Sequence, residues 1–233
     1  MSINFTVGIY KYSTIPNTNT VKIGNALTKE TMISGITDMF YSLPIYIPQS
    51  VIYNSIKYDV VEIGLSAFRN CTLVPKVVIP PTITIINCFA FDRMYVCKEF
   101  QFLPGSQLSI LKAGAFCRCY AVNKLVLPNT LTLIESSSIA HMKTLKRIFI
   151  CGNPIVGNDI FGDICIGRDV VAPDNLQIFV PYVFNGTSKY RNFSKISYNS
   201  VCDLTAPCNT IKIQNIYSYI SYSYYIIFIF TLF

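Results

Sequence analysis

The chain has one histidine, His141, and only 13% of its residues are charged. A single histidine cannot complete a His/Cys metal site, and Cys117-x-Cys119 lacks the spacing of a zinc knuckle. No histidine stands near a cysteine in sequence to mark a Cys-His nucleophile. No Gly-rich phosphate loop is present. His141 itself reads as a surface or hydrogen-bonded side chain rather than a base. An acidic cluster, Asp159, Asp163, Asp169 and Asp174, falls in a glycine-bearing stretch, but its spacing matches no calcium loop and reads as solvated turn residues. Nothing here points to catalysis, a cofactor or a bound metal, so no enzyme is expected.

Long basic runs are also missing. The net charge is +7, yet Lys146-Arg147 is the one adjacent basic pair. No nucleic-acid motif is found, and the charge reads as a solvated surface. The N-terminal MSINFTVGIYKY shows no basic region leading into an apolar stretch, so no standard signal peptide is read there. Nine cysteines cannot form a complete internal disulfide set.

Hydrophobic residues, by contrast, make up 52% of the 233-residue chain, enough for a sizeable core. They are periodic. Residues 67–80 read AFRNCTLVPKVVIP and residues 115–128 read AFCRCYAVNKLVLP. Taking Ala-Phe as the ruler, Ala67-Phe68, Ala90-Phe91, Ala115-Phe116 and Ser138-Ile139 follow at steps of 23, 25 and 23 residues. Three places beyond each Phe or Ile stand Cys71, Met94, Cys119 and Met142. Six places beyond are Val74, Cys97, Val122 and Leu145, and nine beyond are Val77, Phe100, Leu125 and Ile148. Eleven beyond are Ile79, Phe102, Leu127 and Ile150, while Ile63, Ile86, Leu111 and Ile134 precede each pair by four. The longer middle step is absorbed at Pro104-Gly105-Ser106, a turn.

The period-two run ending in proline, as in Val77-x-Ile79-Pro80, predicts a short strand that the proline terminates. A turn and a second alternation follow, as in Ile83-x-Ile85-Ile86, and Ala-Phe opens the return leg. Each unit is then one coil of a solenoid. A coil cannot bury its apolar columns alone, so the units fold as a stacked array. Upstream, IYIPQSV (45–51) carries the strand-proline signature with nine extra residues before Ile63. Downstream, Leu176 to Pro181 repeats it, and the Gly-, Asn- and Asp-rich 151–175 reads as loop.

At these columns, EIGLSAFRNCTLVPKVVIP (62–80) resembles the BspA-type leucine-rich repeat, whose unit reads approximately I-G-x-x-A-F-x-x-C-x-x-L-x-x-V-x-I-P. The style is similar to BspA-like surface antigens of mucosal protozoan parasites. The resemblance implies a mainly β, right-handed solenoid with short strands on one face and irregular legs on the other. It also implies binding to host cells, matrix or other microbes, with no catalytic residues. The expected organisation is an N-terminal cap at 1–44, the solenoid at 45–195, a linker at 196–215 and a hydrophobic tail at 216–233. The tail carries no charge over 18 residues and is either a membrane anchor or a segment packed on the protein.

Strand residues between the core columns should point outward. Lys76, Val78, Glu99, Gln101, Lys124, Val126, Arg147 and Phe149 are therefore the expected partner-binding face. Of the N-x-S/T tripeptides at Asn4, Asn70, Asn185 and Asn192, the last two are the better glycosylation candidates. The leading functional reading is a surface protein that binds a protein partner, host cell or matrix. The alternative is an intracellular scaffold using the same array in the cytosol, which the odd cysteine count and missing signal pattern favour.

Overall fold

The strand-proline run of each repeat forms one rung of a parallel ladder, and the alternation after the proline forms a rung of a second. The computed structural model describes residues 2–24, 34–157, 160–161, 176–180 and 196–198. Among these residues every regular element is a strand. They are β1 (Asn4–Val7), β2 (Tyr10–Thr14), β3 (Thr20–Ile23), β4 (Ile45–Tyr46), β5 (Ser50–Tyr53), β6 (Ile56–Ile63), β7 (Lys76–Ile79), β8 (Ile85–Ile86), β9 (Glu99–Phe102), β10 (Ile110–Leu111), β11 (Lys124–Leu127), β12 (Leu133–Ile134), β13 (Arg147–Ile150), β14 (Ile155–Val156), β15 (Gln177–Val180) and β16 (Ile196–Tyr198). The mainly β repeat solenoid expected from the sequence is what forms.

The first ladder runs in two parts, β4-β7-β9 and β11-β13-β15-β16. Its registers match the columns: Val77 lies against Phe100 and Ile79 against Phe102, then Leu125 against Ile148 and Leu127 against Ile150. The second ladder is β3-β6-β8-β10-β12-β14, with Ile63, Ile86, Leu111, Ile134 and Val156 in line and buried. The leg after the proline is thus a second parallel sheet of two-residue strands. Its hydroxyls tie coil to coil. Ser109 Oγ donates to Thr84 O at 3.0 Å, and Thr132 Oγ1 donates to Ser109 O at 3.0 Å. Alternating side chains aim one set inward, which is why a short run of Ile and Leu suffices.

The Ala-Phe leg is built of turns, and it too is bonded along the axis. The N–H groups of Phe68, Phe91 and Phe116 donate to the carbonyls of Ala90, Ala115 and Ser138 at 2.7, 2.8 and 2.8 Å. Each coil takes two left-handed residues there: Ser66, Phe89, Gly114 and Ser137 at one position, and Asn70, Arg93, Arg118 and His141 at another, all with positive φ.

The nine extra residues after Pro48 form a hairpin, in which β5 pairs antiparallel with β6. Its turn residues Asn54 and Ser55 have φ of 50° and 64°, as a type I′ turn requires. Residues 2–24 extend the second ladder: β3 lies parallel to β6, and β2 and β1 follow antiparallel.

One expectation is corrected. The stretch 151–175 is not loop throughout. It holds β14, and beyond it Ile160-Phe161 occupies the Ala-Phe position of a fifth coil. Both residues are buried, and Ile160 O accepts from the Ile139 N–H at 3.0 Å. Glycine, asparagine and aspartate give the stretch a loop-like composition, but the apolar spacing still closes a coil. Asp159, Asp163, Asp169, Asp174, Asn185, Asn192 and the tail 216–233 lie outside the described residues.

Candidate functional site

The outward side of the first ladder presents two columns. Lys76, Glu99, Lys124 and Arg147 form one, and Tyr46, Val78, Gln101, Val126 and Phe149 form the other. Stacking alone brings them together, since they lie up to 103 residues apart in the chain from Tyr46 to Phe149.

Opposite charges meet at one end. Lys76 Nζ lies 3.1 Å from Glu99 Oε2, with both side chains solvated. At the other end like charges meet. Lys124 and Arg147 are direct register partners. Among the described residues neither has a carboxylate within ion-pair distance. Like charges held opposite one another on a sheet repel.

The expectation that all eight residues face solvent fails at two. Val78 and Phe149 are buried, at 7% and 0% exposure. Val78 is small and stands in a central strand between the larger Tyr46 and Gln101, which shade it. Phe149 is covered partly by Lys124, whose Nζ stands 5.4 Å from the ring centroid. Lys124 therefore spreads its stem over an aromatic while its charge stays at the surface. Gln101, Val126 and Arg147 are half-buried, and Glu99 is exposed.

Tyr46 belongs to this face and was not among the expected residues. It is 64% exposed, and the segment leading into β4 adds exposed Met39, Phe40 and Leu43. The signal for Tyr46 was available: it occupies the position before Ile47-Pro48 that Val78 occupies before Ile79-Pro80.

Thiol chemistry is suppressed in the core. Cys71, Cys88, Cys97, Cys117, Cys119 and Cys151 are free thiols. Burial pushes Cys71 up to about 12, aided by Asp38, and burial pushes Cys97 up to about 12. Cys119 is also raised by burial, and its Sγ lies 3.2 Å from Phe91 O as donor. A nucleophilic cysteine needs the opposite shift. His141 sits at a left-handed turn position, half-buried. Among the described residues, no three His, Cys, Asp or Glu side chains converge as a metal site.

A family model described as the BspA type leucine rich repeat region matches residues 45–166, in six copies. The chain belongs to this family. No curated protein matches it. Among solved structures it is similar to the pneumococcal vaccine antigen PcpA, at 16% identity and a TM-score of 0.56 over 79% of this chain. It spans about half of that protein, 51%. It is also similar to a leucine-rich repeat protein from Bacteroides capillosus (22% identity, 55% of this chain, 84% of that one, TM-score 0.43) and to a leucine rich cell surface protein from Faecalibacterium prausnitzii (16% identity, 85% and 55%, TM-score 0.47). The likeness to the pneumococcal antigen shows the fold.

Proposed function

We propose that this protein is a non-enzymatic binding protein that engages a protein partner, on a host cell or in matrix, through the face of its first ladder. The observation that carries the reading is the Lys124–Arg147 pair. Two like charges are fixed in register with no described carboxylate beside them, next to the half-buried Val126, and the exposed ring of Tyr46 stands at the other end of the same face. Acidic side chains on a partner would relieve the repulsion, and the apolar column would supply desolvated contact. Surface display would suit the uncharged segment 216–233 as an anchor and Asn185 and Asn192 as glycan sites.

The test is Lys124→Glu combined with Arg147→Glu, checked for native circular dichroism and assayed for binding of the protein to cells or matrix proteins. Binding should fall at least tenfold. Undiminished binding by the folded variant rules this face out.

A second reading is favoured by the cysteines among the described residues, which are unbridged and mostly buried and so at home in a reducing compartment. In it the same face binds a cytosolic partner. Protease treatment of intact expressing cells separates the two: loss of the repeat epitope supports surface display, and protection supports the intracellular scaffold.

A further inference from the structure

The turn legs gather charge that the sequence scatters. Residues 64–75, 87–98, 112–123 and 135–146 carry seven Lys and Arg against two carboxylates, a net of +5 out of +7 for the whole chain. One of those carboxylates, Glu135, is taken by Lys112 Nζ at 2.7 Å and by the Ala113 N–H at 3.0 Å. The other is Asp92, which is fully buried.

Three guanidinium groups converge on Asp92. Arg69 Nε lies 3.0 Å from Oδ2, Arg118 Nη1 3.3 Å from Oδ1, and Arg93 Nε 3.7 Å from Oδ2. The left-handed turns at Arg93 and Arg118 place them one coil apart at the same position of the leg. One carboxylate cannot neutralise three cations. The Nε atoms of Arg69 and Arg93 are buried with no hydrogen-bond partner, and the Arg93 side chain is the most exposed of the three, at 39%.

Beside the arginines runs an aromatic and cationic column, again one residue per coil. Tyr95 and Tyr120 stack with centroids 5.1 Å apart and rings 11° from parallel. Lys143 Nζ caps Tyr120 at 4.9 Å. Burial raises the Tyr120 hydroxyl above its ordinary value.

We infer that this leg is a binding site for a linear anionic polysaccharide, lying along the solenoid axis with its carboxylates or sulfates on Arg93 and Lys143 and a sugar face against Tyr95. Coil stacking rises about 4.8 Å per coil, so Arg93 and Lys143, two coils apart, are separated by about 10 Å along the axis. A polysaccharide charged on each ring spaces alternate anions about two pyranose rings apart, close to that separation. An extended acidic peptide alternates its side chains, so same-face carboxylates fall roughly 6.7 Å apart and miss the register. Guanidinium groups match the planar or pyramidal oxyanions of such a polymer by paired N–H donation. This face is distinct from the first ladder and does not depend on the partner proposed for it.

The experiment titrates the full chain with low-molecular-weight heparin, polyglutamate of matched charge and a single-stranded oligothymidylate, at 50 and 200 mM salt. Heparin should bind most tightly, with affinity falling as salt rises. The double variant Arg93→Gln, Lys143→Gln should weaken heparin at least tenfold while keeping the parent's circular dichroism spectrum. Arg93→Lys should lose part of the affinity, because it keeps the charge and loses the fork. Lys124→Glu with Arg147→Glu, on the other face, should bind heparin within about threefold of the parent. Heparin binding unchanged in the Arg93/Lys143 variant overturns the proposal. So does equal or tighter binding of polyglutamate or the oligonucleotide, which would reassign the face to an acidic peptide or a nucleic acid.

Discussion

The rings of Phe91 and Phe116 stack 5.5 Å apart and 7° from parallel, one coil above the other. Phe68 extends the stack from Phe91 at 5.4 Å, and Phe100 meets Phe116 edge-on at 4.6 Å. Each ring belongs to its own coil yet buries its faces against the neighbouring coils. The repeat is therefore stable only as an array, and the site faces inherit their spacing from this internal column.

Phe91→Ala should destabilise the protein by about 3–5 kcal/mol, because it empties the middle of the stack and removes the ring contacts with Phe68, Phe100 and Phe116. Phe91→Leu should cost about 1.5 kcal/mol, since the same position accepts Ile139 in the fourth coil and only the aromatic geometry is lost. Urea unfolding of the two variants checks the difference. A Leu variant as stable as the parent would mean that the ring stack adds nothing beyond volume.

Asp92 holds the arginine cluster together, and its removal leaves guanidinium groups in a site where Arg69 and Arg118 are only 15% and 14% exposed. Asp92→Ala should cost about 3–5 kcal/mol. Replacing Asp92 by Leu together with Arg69→Met and Arg118→Met should recover most of that loss, because apolar groups of similar size need no counter-ion. The midpoints of urea unfolding decide it. A D92A variant as stable as the parent would show that the cluster is already solvent-screened.

Burial of thiols sets an alkaline limit. Below pH 9 both folded and unfolded chains keep Cys71 and Cys97 protonated, and the thiols do not oppose folding. From about pH 9 to about 12 the unfolded chain ionises them while the folded chain holds the proton, so stability falls with rising pH. Tyr10, pushed by burial from 10.0 to about 12, adds to the loss above pH 10. The urea midpoint should drop between pH 8 and 10.5, and by less in the Cys71→Ala, Cys97→Ala variant. A pH-independent midpoint would refute the assignment.

The apolar columns were legible in the sequence because burial repeats them at a fixed spacing. Ile63, Ile86, Leu111 and Ile134 needed only counting. The fifth coil was not, because Ile160-Phe161 sits among glycines and aspartates that look like loop. The basic leg was hidden for a different reason. Arg69, Arg93, Arg118 and Lys143 are far apart along the chain and become neighbours only once the coil positions are known. Val78 and Phe149 were misplaced because alternation fixes the side a residue faces, whereas neighbouring side chains decide its exposure.

The left-handed position before each Ala, Cβ-free only at Gly114, left no common residue type to read. Ser66, Phe89 and Ser137 hold positive φ there despite their side chains. A non-glycine residue in this conformation costs about 1–2 kcal/mol. Ser137→Gly should therefore stabilise the protein by about 1 kcal/mol, less the entropy glycine adds to the unfolded chain. Gly114→Ala should do the reverse and more, because its Cβ would lie 2.5 Å from Cε1 of the Phe89 ring in the coil below. The Arg69 guanidinium stands 5.5 Å from the centroid of that ring, so a shift of the ring disturbs a residue of the arginine cluster. Gly114→Ala should thus lose at least about 2 kcal/mol in urea unfolding, and the double variant Gly114→Ala, Phe89→Ser should regain part of it by removing the clash. If the two substitutions simply add, the Phe89 ring is not what forbids a side chain at residue 114.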